Sequence, residues 1–93
     1  MMKPERVELE LDEFVYQVEI PERLITQGMI RRTMDSWLEA AIGEMDEDWT
    51  DYWGEGDVRV GHFFIVAFCD PKHQRQFHLW CRLQGLDPVM SRY

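Results

Sequence analysis

The densest group of chemically capable side chains lies in residues 44–57, which carry seven acids and no base. Asp46, Asp48, Asp51, Glu55 and Asp57 offer the hard oxygen ligands that a divalent cation such as calcium takes. The spacing does not fit an EF-hand loop. Counted from Asp46, position six is Asp51 where glycine is needed, and position five is Thr50. The run therefore reads as solvated acidic surface, with no metal or other cofactor expected. Trp49, Tyr52 and Trp53 are interleaved among these acids. Such aromatics can fold back and lid the core of a small domain, or they can anchor an interface. The second role makes Asp46, Glu47, Asp48, Trp49, Asp51, Tyr52, Trp53 and Glu55 the candidate partner-binding residues. An acidic patch with aromatic anchors suits a basic partner, because opposite charge steers the encounter.

Other chemistries find less support. His73 and His78 are five residues apart, about 140° around a helix, whereas a helical metal pair uses i, i+4. His62 falls on a strand. Cys69 and Cys81 lie in apolar runs where a thiolate is disfavoured, so both are expected as buried, reduced thiols. There is no glycine-rich phosphate loop and no Gly-x-Ser-x-Gly elbow. Among eighteen acids no catalytic carboxylate pair can be singled out, so no enzymatic activity is expected. Gly61-His62-Phe63-Phe64-Ile65-Val66-Ala67-Phe68 resembles the aromatic strand of an RNA-recognition motif only at first sight. His62 follows the glycine, Phe63 replaces the small residue, and the last aromatic is one place late.

The elements that must position these residues follow from periodicity. Val7, Leu9 and Leu11 alternate with Glu8, Glu10 and Asp12, and the alternation resumes in the other phase at Phe14, Tyr16, Val18 and Ile20. Asp12-Glu13 absorbs the slip, as a bulge in one strand or as a hairpin turn; the bulge is favoured because neither residue suits a positive φ. Pro21 stops the strand. Ile30, Met34, Trp37, Leu38, Ala41, Ile42 and Met45 form a helical stripe, which starts from Pro21 or Thr26 and ends near Gly43. Residues 44–57 read as a loop because of Gly54 and Gly56. Val58 to Cys69 reads as a central strand, apolar on both faces. Asp70-Pro71 starts a second helix that stops at Gly85, and residues 86–90 suit a tail along a sheet edge. The order implies a single α+β domain over residues 1–93. Two helices pack on one face of a short, mostly antiparallel sheet of the ferredoxin-like or split βαβ kind.

A chain of 93 residues holds one domain, and 45% hydrophobic residues beside 30% charged residues mark it as globular. The formal charge of −8 disfavours direct nucleic-acid binding. The charge is also uneven. Residues 1–57 hold sixteen acids and five bases, whereas residues 58–93 hold two acids and five bases. Neither a signal peptide nor a bilayer-spanning run is read, so a cytoplasmic, membrane-free protein is expected.

The strand Phe63–Phe68, the Asp70-Pro71 start and the helix bearing Phe77, Leu79 and Trp80 are similar to a type of small uncharacterised protein encoded by tailed bacteriophages. The resemblance covers about a quarter of the chain and carries over no specific residue. It implies a protein that binds and redirects a host factor in the host cytoplasm, as an inhibitor or as an acidic mimic of DNA. From the residues themselves the expectation is an acidic accessory protein that binds a protein partner with a basic surface. The alternative is a homo-oligomeric structural module held together by its Trp and Met positions.

Overall fold

The structure, a computed structural model, describes residues 13–26 and 28–92. The strand expected through Val7, Leu9 and Leu11 and the Asp12 half of the slip lie outside the described residues, whereas Glu13 is described and exposed. The elements in chain order are β1 (Tyr16–Pro21), α1 (Glu22–Ile25), α2 (Gly28–Ala41), β2 (Trp49–Glu55), β3 (His62–Phe68), α3 (Pro71–Leu83) and β4 (Val89–Arg92). The sheet order is β2-β3-β1-β4, and every neighbouring pair is antiparallel. This is the βαββαβ arrangement of the ferredoxin-like class, the fold class expected, with a strand at Trp49–Glu55 that the expected element order lacked.

Strand periodicity sorts the sheet into two faces. Val18, Val66, Asp51 and Met90 lie in one row, as do Ile20, Phe64 and Trp53. On this face Val18, Ile20, Phe64, Val66 and Phe68 form the core with Met34 and Leu38 of α2, and Phe77 and Cys81 of α3. Both long helices therefore cover the same side. Each buried Phe, Leu or Ile contributes about 1.5–3 kcal/mol by leaving water.

The other face holds Gln17, Glu19, Tyr52, Phe63, Ile65 and Ala67. All of β3 from Phe63 to Phe68 is buried, so the apolar run is a central strand covered on both sides. Its start differs from the expectation, because residues 58–61 belong to the β2–β3 connection and the strand begins at His62. The connection curls back over Phe63. The Arg59 guanidinium sits 5.1 Å from the Phe63 ring centroid, and the Asp57 N–H donates to Glu19 Oε2 at 2.9 Å. A side chain at Gly56 would collide with the Arg59 carbonyl and the Phe63 ring.

The helix starts follow local chemistry. Asp70 Oδ1 accepts from the Lys72 N–H at 2.8 Å, and Pro71 occupies the first turn of α3, as expected of Asp-Pro. Pro21 leads into the short α1, and Thr26 closes that helix, its hydroxyl donating to the Arg23 carbonyl at 3.2 Å. The C-terminal tail pairs with β1 as β4. Gln74 on α3 fastens it: its Nε2 donates to the Gln17 carbonyl at 2.8 Å and to the Ser91 carbonyl at 2.9 Å.

The second expectation to be corrected is the loop at 44–57. Trp49–Glu55 is a strand paired with β3 along its whole length. Gly54 lies inside that strand, opposite Phe63, and does not mark a turn. The third correction concerns Cys69, which is exposed at the end of β3; only Cys81 is buried.

Candidate functional site

The eight partner-binding candidates all lie between the end of α2 and the end of β2, but the fold assigns them different tasks. Asp46 and Asp48 build the turn that enters β2. Asp48 Oδ2 accepts from the Glu44 N–H at 2.9 Å, and Asp46 Oδ1 accepts from the Thr50 hydroxyl at 2.8 Å. Asp46 has φ 67°, a left-handed conformation that Asp tolerates better than most residues. Glu47 is exposed at the crest of the turn. Trp49 belongs to the core: it is buried, and its indole N–H donates to the Gly43 carbonyl at 2.9 Å.

The rest of β2 splits by strand alternation. Tyr52 points to the face away from the helices, where its hydroxyl accepts from Gln17 Nε2 at 2.8 Å. Asp51 points the other way and is drawn under α2, with its side chain 11% exposed. Its Oδ2 lies 3.9 Å from Arg31 Nη2, and the Arg31 guanidinium stands 4.2 Å from the Phe64 ring centroid. Burial raises the Asp51 carboxyl above its ordinary pKa; Arg31 opposes the shift, and Asp35 and Asp46 add to it.

Trp53 and Glu55 are exposed on the same side of the strand as Asp51. Trp53 is 42% exposed, stacks on His62 and meets Phe64 edge-on at 5.0 Å. Glu55 is the register partner of His62. His62 Nδ1 lies 3.3 Å from Glu22 Oε1 on α1, which ties the hairpin to the first helix. Glu22, Arg31 and His62 are thus neighbours of the patch that spacing along the chain did not bring out. The β2–β3 register places residue 62 beside 53 and 55, and that register is not written in any local motif. Glu47, Trp53 and Glu55 are therefore the candidates available to a partner, while Trp49 and Tyr52 are occupied within the fold.

The two cysteines do not form a reactive pair. The Cys69 thiol is raised above its ordinary pKa by burial and by the carboxylates of Glu13, Asp48 and Asp70. The Cys81 thiol is pushed far above its ordinary value by burial alone. Among the described residues no three His, Cys, Asp or Glu side chains come close enough to hold a metal ion. No described helix is long and apolar enough to cross a membrane. Comparison with protein-family models, curated proteins and solved structures finds no match to this chain.

Proposed function

We propose that the chain is a small accessory protein that works in the cytoplasm by binding a protein partner with a basic surface and carries out no catalysis. The observation that supports this reading is the exposed indole of Trp53 on an edge strand, with the exposed carboxylates of Glu47 and Glu55 on the same element and its entry turn. A Trp held in place by His62 and Phe64 loses little freedom on binding, which is what an interface anchor requires. Surrounding acids raise the encounter rate with a basic surface and repel acidic ones. Inhibition of a host protein, or occupation of a DNA-binding groove by an acidic mimic, is the finer form that the resemblance to phage proteins supports.

The test is affinity capture with the whole protein, comparing wild type with a Trp53→Ala, Glu47→Lys, Glu55→Lys variant. Asp46 and Asp48 are left alone because they shape the turn. The reading expects a basic partner on the wild type and its loss from a variant that keeps its circular dichroism and melting curve. Equal capture by both proteins overturns it.

A second reading rests on the helix layer. Leu79 and Leu83 are 56% and 76% exposed beside a groove of about 290 Å³ that Trp37, Ala41 and Trp80 help to line. Exposed apolar side chains in one place suit a subunit interface. Light scattering at micromolar concentration decides this reading, and a monomer there rules it out.

A further inference from the structure

We propose that β2 binds its partner by strand addition: an extended basic segment of the partner pairs with the outer edge of β2 and becomes the next strand of the sheet. This rests on the binding role above and names the chemistry of the partner. Among the described residues β2 has β3 as its only strand neighbour, and its outer side is engaged only at Trp49, which bridges Met45 and whose carbonyl accepts from the Asp46 N–H. Its register runs unbroken from Trp49–Phe68 to Glu55–His62, so no bulge twists it away. It is seven residues long and contains no proline, lysine or arginine. β2 keeps charge alone, as Asp51 and Glu55, whose sign admits a basic strand, whereas natural sheets also blunt their edges with prolines, bulges or short strands. The opposite edge does so: β4 has four residues, follows directly on Pro88 and ends at Arg92, whose guanidinium lies 5.3 Å from the Tyr16 ring centroid.

The side chains select the occupant. A strand laid against β2 presents alternate residues to one face, where Trp53 and Glu55 stand two positions apart. Arginine or lysine at two alternate positions meets the indole through a cation–π contact and Glu55 through an ion pair. A second copy of β2 is a poor occupant. Antiparallel pairing centred on Trp53 sets Asp51 of one chain against Glu55 of the other, and like charges directly opposite are destabilising.

Three capped heptapeptides test this with the unaltered protein. The first alternates arginine and threonine. The second has the same composition with its arginines contiguous. The third is the first, N-methylated at two successive central amides so that both of its edges are blocked. Loss of a strand hydrogen bond makes the alternating peptide bind about two- to tenfold tighter than the methylated one. The contiguous peptide binds more weakly than the alternating one, and every second amide of residues 50–55 gains hydrogen-exchange protection only with the alternating peptide. Equal affinity for all three peptides overturns strand addition and leaves a charge-driven binding role standing. Binding without protection of the β2 amides does the same. The capture experiment above overturns the role itself, so the two failures are distinct.

Discussion

The indole of Trp53 lies against the imidazole of His62, with ring centroids 5.9 Å apart and planes 10° from parallel. The contact crosses from β2 to β3, and His62 is in turn held to α1 through Glu22. An aromatic side chain fixed in this way and still open to solvent is what the proposed binding role requires. Trp49, four residues earlier on the same strand, shows the opposite use of the same residue type.

Replacing the two tryptophans therefore separates binding from stability. Trp49→Ala removes a fully buried ring and its hydrogen bond to Gly43, and is expected to cost about 3–5 kcal/mol in denaturant unfolding. Trp53→Ala loses ring contacts worth about 1 kcal/mol of folding stability. Its effect on partner affinity is expected to reach about 2 kcal/mol, roughly thirtyfold. Equal destabilisation by both substitutions would contradict the division.

Gln74 is a buried side chain that bridges two strands. Gln74→Leu keeps the volume but strips the Gln17 and Ser91 carbonyls of their shared donor. Losing these two hydrogen bonds is expected to cost about 1–3 kcal/mol. Hydrogen exchange should show the loss first in β4, whose only strand neighbour among the described residues is β1.

Asp51 gives a pH dependence with a definite sign. Its folded pKa is raised, so the folded state holds the proton more tightly than the unfolded chain does. Its charge therefore works against folding above the folded pKa, and that penalty fades as the pH falls towards the ordinary carboxylate range. Asp51→Asn removes the titration. The stability of this variant relative to wild type should be higher at pH 7 than at pH 4. Denaturant unfolding at the two pH values checks this, and a relative stability that rises on acidification would contradict it.

The thiols should differ in accessibility. In native protein at pH 8, iodoacetamide is expected to modify Cys69 alone, and slowly, because its thiolate is disfavoured by burial and nearby carboxylates. Cys81 should react only after unfolding. Mass spectrometry of the alkylated chain reads both results.

Where local chemistry dominates, the fold was legible in the residues. Six consecutive apolar residues at Phe63–Phe68, rich in aromatic and β-branched side chains, suit a strand buried on both faces, and Asp70-Pro71 satisfies the first turn of α3 with its own side chain. The stripe through Met34 and Leu38 likewise found its sheet. β2 was hidden for a physical reason. It is an edge strand that buries Trp49, draws Asp51 under a helix and leaves Trp53 and Glu55 to solvent, so neither face is consistently apolar and its period-two signal is blurred. Two nearby glycines then read as a turn, although Gly54 pairs within the sheet. The need for a strand between α2 and β3 in a βαββαβ domain was the signal that could have recovered it. Cys69 misled for a related reason: it follows an apolar run, but it lies just past the strand end, where the backbone leaves the core.

The central claim is that a basic partner meets the molecule at the outer side of β2. Site-specific photocrosslinking tests it most directly, with a benzoylphenylalanine in place of Glu55 in one protein and in place of Leu79 in another. The account predicts that the partner crosslinks at position 55 and not at position 79. A partner that crosslinks only at position 79, or chain-to-chain products at position 79 with nothing at position 55, would contradict it.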